Sequence, residues 1–481
     1  MTKNPLFFGR ENELKNLAKF LKKESASLIV VRGRRRVGKS RLITEFAKDH
    51  PFISFSGLPP TEKTTAQSQR DEFARQLQEQ TGLPEIKTDD WGTLFSLLFQ
   101  KIAQRRVIIL FDEISWMGDK DDVFLGKIKN AWDQQFKTNP KLILVLCGSA
   151  SAWIEENILS STGFVGRVSY TLVLEELSLV ACNLFWRKQA QNISSYEKFK
   201  LLSVTGGIPK YLEEIDPLLN SEENIRQLCF KKGGLLVNEF EHLFSNIFKR
   251  KSPLYKQIVL TLINGSKGPA ELAKELNTEI TGRLSEYLKE LELSGIIKRD
   301  YTWNIKTGED SRLSKFRLSD NYVRFYLKYI IKNKTKIERD GFEFKSLMSM
   351  PQWQTIMGLQ FENIILNNRK RIHFELGISA DDIICENPFY QKRNSKQPGC
   401  QIDYMIETRF QTLYICEIKF SKNIIGTEVI GQVQEKINRI TRPKGFSYRP
   451  VLIHVNGVSN DVKDEGFFAK IIDADAFFIA R

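Results

Sequence analysis

Three short apolar runs organise the first third of the chain: "SLIVV" from Ser27, "VIILF" from Val107 and "LILVLC" from Leu142. Each is bounded by glycine, asparagine-proline or acidic residues. Stretches this brief and this continuously apolar predict strands buried on both faces, as in a parallel α/β sheet. An amphipathic helix, "KSRLITEFAKDH", follows the first run. From Ser252 to about Asp320 the period changes. Leu272 and Leu276, then Leu284, Leu288 and Leu291, recur at helical spacing, and "KRDYTWNIKTGEDSRLSKFRLSD" reads as two strands about a Gly-Glu-Asp turn. "NYVRFYLKYIIKNKTKIE" predicts an aromatic amphipathic helix and then a charged linker. From about residue 350 the expected order is helix, strand, strand, helix, strand.

At 481 residues the chain exceeds what one core holds, and two to four domains are expected. Its 72 Lys and Arg against 58 Asp and Glu leave a net charge of +14, which favours an anionic partner such as nucleic acid or an anionic membrane surface. No apolar stretch has the ~20 residues of a membrane helix, so no membrane span is expected. "MTKNPLFFGRENEL" lacks a signal-peptide core, and the expected location is cytoplasmic. The six cysteines are scattered and fit reduced thiols better than disulfides or zinc.

Chemistry enters at "GRRRVGKS", Gly33 to Ser40, which matches G-x-x-x-x-G-K-[ST] between a strand and a helix. The nucleotide-binding stretch comprises Gly33, Val37, Gly38, Lys39, Ser40 and Arg41. Gly38 lets backbone amides wrap the phosphates of ATP, Lys39 reaches the outer phosphates, and the Ser40 hydroxyl is placed to ligate Mg²⁺. The second strand ends in Asp112 and Glu113. The expected roles are a Mg²⁺-shell carboxylate for Asp112 and a water-activating base for Glu113. The third strand leads to Ser149, placed to sense or orient the γ-phosphate.

These stretches in order, "FFGRENEL", "GRRRVGKSRL", "LFDEISWM", "LCGSAS" and "GGIPKYL", resemble the archaeal-type ATPases of the STAND branch of the AAA+ class. The resemblance covers residues ~5–240. It implies that Gly9, Arg10, Glu11 and Pro209 lie around the nucleotide. It aligns Arg167 with an arginine proposed to sense the γ-phosphate, in the same chain or across the contact of a homo-oligomer. The alternative for Arg167 is a surface arginine after a glycine turn.

The middle segment, 250–335, has the element order of a winged helix. Base reading by the helix over 280–294 is disfavoured. Glu279, Glu286, Glu290 and Glu292 outnumber Arg283 and Lys289 there, and phosphates repel such a face. The wing cations Lys298, Arg299, Arg312, Lys315 and Arg317 are candidates for backbone contacts with DNA.

In the last segment, 345–481, "CQIDYMIET" carries Asp403 and "YICEIKF" carries Glu417 and Lys419 on one strand face. With Asp403 followed by Glu417-Ile418-Lys419, the segment resembles the PD-(D/E)XK nuclease-like fold, although Ile402 stands where that pattern has proline. Asp403 and Glu417 on adjacent strands, completed by Glu362 from the preceding helix, form an oxygen donor set suited to Mg²⁺ or Mn²⁺. Lys419 would position the water or stabilise the developing charge. The alternatives are a hairpin with solvated charges, or the fold retained without catalysis.

The expected architecture is a multidomain α/β protein. Residues 1–240 form a P-loop AAA+ ATPase with a helical lid, 250–335 a winged helix, and 345–481 a nuclease-like domain acting on DNA without much sequence preference. The competing expectations are a STAND signalling switch whose last domain only docks a partner, and a DNA-binding motor without nuclease chemistry.

Overall fold

The computed structural model describes residues 7–84, 86–149, 151–248, 252–395 and 397–480, with side chains from 245 to 252 left aside. Five parallel strands form the first sheet: β1 (Ser27–Arg32), β2 (Phe52–Ser56), β3 (Val107–Asp112), β4 (Leu142–Gly148) and β5 (Val168–Val173), in the order β2-β3-β4-β1-β5. The three strands expected from the apolar runs are the central three. Along β1, Leu28 and Val30 join one buried cluster while Ile29 and Val31 join another, so alternate side chains serve cores on opposite faces. Burying both faces of the central strands removes any call for polar residues along them. The two added strands, β2 and β5, lie at the edges and are only partly covered.

Helices Ser195–Thr205, Pro209–Leu212, Ser221–Cys229 and Leu235–Phe248 follow, then Ser252–Thr261, Pro269–Glu275 and Gly282–Leu293. Thr281 caps the last of these by accepting from Leu284 N–H, and Leu284, Leu288 and Leu291 are buried as their spacing predicts. β6 (Ile297–Trp303) and β7 (Asp310–Leu318) pair as an antiparallel hairpin.

The hairpin corrects one expectation. It is packed on the last sheet: Tyr390 N–H donates to Thr302 Oγ1 at 3.4 Å, and Trp303 Nε1 donates to the Glu407 carboxylate. Arg317, expected to touch DNA, is 4% exposed and pairs with Asp300 at 2.7 Å. Arg299 donates to Ser314 and lies over the rings of Tyr301 and Phe316. Lys315 stands over the ring of Tyr390. The expected DNA contacts rested on the hairpin's cations alone, whereas the partner that covers them lies more than eighty residues further along the chain.

The last sheet holds β8 (Ile383–Gln391), β9 (Cys400–Thr408), β10 (Thr412–Phe420), β11 (Ser447–Val455) and β12 (Lys470–Asp473), in the order β12-β11-β10-β9-β8. β9 and β10 form a tight antiparallel hairpin, while β10 and β11 run parallel. Helix Trp353–Asn367 covers one face and helix Glu428–Arg439 the other. The expected strands are again the central ones. β8, which contains Pro388 and two register shifts, and the four-residue β12 are the edges. A single apolar cluster runs from Leu177 through the middle helices to Phe478. Among the described residues, no helix is long and apolar enough to cross a membrane.

Candidate functional sites

The turn after β1 is built from residues in unusual backbone conformations: Gly33, Arg36 and Gly38 all have positive φ. At Gly33 a Cβ would lie 2.3 Å from the Leu174 carbonyl oxygen, so only glycine allows β5's exit to pass this close. Helix Lys39–Phe46 starts immediately after, with its free amides facing the loop. Lys39 Nζ donates to the carbonyls of Gly33 (3.0 Å) and Arg34 (3.2 Å) inside the loop.

A hydrogen-bonded chain then crosses the sheet. Ser40 Oγ donates to Asp112 Oδ2 at 2.6 Å, and Glu113 N–H donates to Asp112 Oδ1 at 3.0 Å. Ser149 donates to the Glu113 carboxylate from both its N–H (3.2 Å) and its hydroxyl (3.0 Å). Glu113 itself adopts a left-handed φ of 49°, uncommon for a non-glycine residue. Residues from the ends of β1, β3 and β4 thus meet at the C-terminal edge of a parallel sheet, where such sheets bind ligands.

Among the remaining expected contacts, Arg10 donates to Val37 O (3.2 Å) and Glu175 O (2.6 Å), tying the leading segment to the loop. Gly9 has φ 70°, and a Cβ there would stand 2.7 Å from Ala181 Cβ. Pro209 faces Gly38, its Cγ 3.8 Å from where a Gly38 Cβ would be. Glu11 is exposed, and Arg41 pairs with Glu45 on its own helix.

Arg167 is not brought to this cluster. It precedes Val168, which pairs with Leu28 at the start of β1, so it sits at the end of the sheet opposite the loop. Its guanidinium is held by both Asp133 oxygens, at 2.9 and 2.7 Å.

Three features here were not anticipated from sequence. Arg34 forms a buried ion pair with Asp320 and also donates to Tyr211 Oη at 3.3 Å. Arg36 pairs with the buried Glu239 at 2.5 Å, which also accepts from Tyr211 Oη. The loop's extra arginines are therefore anchors into the helical part of the chain. Glu176, next to the loop, accepts from Gly207 N–H at 3.0 Å. Burial lifts its carboxyl to about 7, more than that bond lowers it.

The second cluster lies on the face of β9 and β10 under helix Glu428–Arg439. The β9–β10 register runs from Thr412 opposite Thr408 to Cys416 opposite Tyr404, and Glu417 and Asp403 are the next residues on the two strands. Asp403 Oδ2 accepts from Ile418 N–H at 2.9 Å, and Lys419 Nζ pairs with Glu417 at 2.8 Å. Lys436 reaches down from the helix and puts its ammonium between the carboxylates, 2.5 Å from Glu417 Oε2 and 3.4 Å from Asp403 Oδ1. Burial, and secondly the Glu417 charge, raise the Asp403 carboxyl above its ordinary value; Lys436 opposes them. Burial alone would lower Lys436, but the two carboxylates outweigh it and hold its ammonium above its ordinary value.

Lys436 had a signal in the sequence, since it shares a helical face with Gln432, but nothing there said which face meets the sheet.

Glu362 stays apart from the pair. It sits on helix Trp353–Asn367, over the opposite face, and lines a cavity with Arg317 and Arg324. Burial first, then the Asp403 charge, lifts it to about 8. Among the described residues, no group of three or more His, Cys, Asp and Glu side chains is arranged to hold a metal ion. The expected triad is thus not assembled as one donor set: Asp403 and Glu417 form a pair, and Glu362 is linked to Asp403 through charge alone. The pair still suits a hard cation: both donors are carboxylates, and a positive group already bridges them.

Residues 7–215 match a family described as an ATPase domain predominantly from Archaea. The chain is 24% identical to an uncharacterised protein of Methanocaldococcus jannaschii over 75% of its own length and 76% of the relative's. In structure it resembles the Walker-type ATPase of Pyrococcus abyssi, with a TM-score of 0.50 at 19% identity, covering 67% of this chain and 96% of that one. The fold and the loop define a P-loop ATPase. Residues 7–215 carry the similarity to the archaeal-type ATPase domain, and the likeness to the Pyrococcus abyssi structure is one of fold.

Proposed function

We propose that this protein couples ATP hydrolysis in its first sheet to metal-dependent phosphodiester chemistry on DNA in its last. In the ATPase site, Lys39 leaves its two loop carbonyls for the β- and γ-phosphates. Ser40 and Asp112 hold Mg²⁺, and Glu113, oriented by Ser149, takes the proton of the attacking water. Gly9, Arg10, Val37 and Pro209 frame the nucleotide. Arg167, remote from the loop in its own chain, has a role here only across the contact of a homo-oligomer.

In the last sheet, Asp403 and Glu417 would hold Mg²⁺ or Mn²⁺, which when bound would supply an acidified water and neutralise phosphate charge. Lys419 orients that water or stabilises the charge that develops. The observation that carries this reading is the carboxylate pair itself: Asp403 and Glu417 share the ammonium of Lys436, and Lys419 pairs with Glu417. The net charge of +14 supports a polyanionic partner.

One observation favours a second reading. Lys436 already neutralises the pair, and Glu417 is 3% exposed, as suits a closed site in a switch whose last sheet only docks a partner. Purified protein incubated with plasmid and Mg²⁺ or Mn²⁺, with and without ATP, separates the two. Metal-dependent nicking supports the nuclease; binding without nicking supports the docking switch.

A further inference from the structure

Between the β6–β7 hairpin and the last sheet lies a cavity of about 280 Å³, near the lower end of the ~300–1,000 Å³ range of small-molecule sites. Its walls come from both sides. Asn264, Ser266, Arg317 and Arg324 belong to the middle segment; Glu362 and Tyr390 belong to the last.

Two guanidiniums dominate it. Arg324 is 1% exposed and has no carboxylate on it: Nη1 donates to Gln360 Oε1 at 2.8 Å, Nη2 to Leu318 O at 2.7 Å, and Nε has no acceptor. Arg317 spends Nε on Asp300 and Nη1 on Asn363 Oδ1, leaving Nη2 without an acceptor. Tyr390 adds a hydroxyl, in long contact with Ser266 Oγ at 3.4 Å.

A buried cation usually has its hydrogen-bonding capacity filled, because an unmade bond there carries the full cost of desolvation. Here two buried arginines line one cavity, each with one buried N–H that has no acceptor, and only one of them is ion-paired with a carboxylate. The acidic groups nearby are Asp300, already paired with Arg317, and Glu362, which lines the same cavity and whose charge acts on Arg324. Arginine's planar fork matches the oxygens of a phosphate.

We propose that this cavity binds a terminal phosphate monoester, the end of a nucleic-acid strand or a mononucleotide, between Arg317 and Arg324. A cavity of about 280 Å³ has room for one phosphate group rather than a length of strand, which favours a terminal group. The site requires the hairpin and the last sheet to be packed together, so its ligand would cement that junction. It does not depend on Asp403 and Glu417 being catalytic.

The test uses the full-length chain carrying Lys39→Ala, to silence the P-loop, in EDTA. A fluorescent single-stranded oligonucleotide with a 5′-phosphate is compared with its 5′-hydroxyl counterpart by anisotropy. The phosphorylated strand should bind at least tenfold tighter. Competition by millimolar dAMP assigns the site to mononucleotides as well; absence of competition assigns it to strand ends. Arg324→Gln should erase the preference. Because that substitution touches a buried bonding network, Ser266→Phe, which fills the cavity from its rim, serves as a second variant. Asp403→Ala should leave the preference intact even where it abolishes cleavage, which separates this proposal from the nuclease reading. Equal binding of the two strands, or a preference that survives both cavity substitutions, overturns it.

Discussion

At the end of β1 the lysine of the site rests on neutral carbonyl oxygens; between β9 and β10 the lysine of the site rests on two carboxylates. The difference sets what each site waits for. Lys39 gives up two dipoles when a phosphate arrives and gains a full opposite charge, so that site is poised for an anion. Lys436 compensates two partly buried negative groups. Moving it without a replacement would leave Asp403 without a cation and Glu417 with Lys419 alone, which is destabilising for groups so little exposed. On the proposed reading, an incoming metal ion has to take the place of Lys436.

The sharpest way to break the comparison is to remove Lys39. Lys39→Ala should abolish tight ATP binding, measured by calorimetry. Glu113→Gln should keep binding and slow hydrolysis by roughly 10² or more, as for loss of a general base; normal turnover in Glu113→Gln would show that the Ser149–Glu113 contact is structural only.

Asp403→Ala and Glu417→Ala should each eliminate metal-dependent cleavage with ATPase rate unchanged, since the first sheet has cores of its own. The double variant should be little worse than either single one. A fall in ATPase rate alongside cleavage would mean the two sites do not act separately.

Lys436→Ala tests the exchange of cations directly. With its competitor gone, Mn²⁺ should bind about tenfold tighter, while the metal-free protein loses ~3 kcal/mol of stability. Weaker Mn²⁺ binding in this variant would make Lys436 a supporting group and the exchange idea wrong.

The smallest effect is expected at Glu176. Its carboxyl is raised in the folded chain to about 7 from 4.5, so the folded state keeps a proton that the unfolded state releases. That contribution is present below pH ~4.5 and is lost as pH rises through about 7. Glu176→Gln should therefore match the parent protein at pH 4 and melt a few degrees higher at pH 8. Identical melting at pH 8 would show that Glu176 is ionised at no cost.

The two sheets also show what a sequence discloses. In each, the central strands were legible and the edges were not. β1, β3 and β4 are covered on both faces and read as unbroken apolar runs. β5, with alternating partial exposure, and β8, with Pro388, satisfy weaker demands and so look like loops. The phosphate loop was legible because its chemistry is local: glycine, lysine and serine act within eight positions. Lys436 and the Arg317–Arg324 cavity were not, because each depends on elements that meet only after the hairpin has docked on the last sheet.

The ion pair between Arg34 and Asp320 joins positions 286 residues apart, and both side chains are buried. Its consequence is one of inheritance. A gene rearrangement that gave this phosphate loop a different carboxy-terminal half would leave an arginine buried without its acid. Recombination within this protein is therefore penalised unless the new half brings an acidic residue to the same place, and the two halves are bound to descend together.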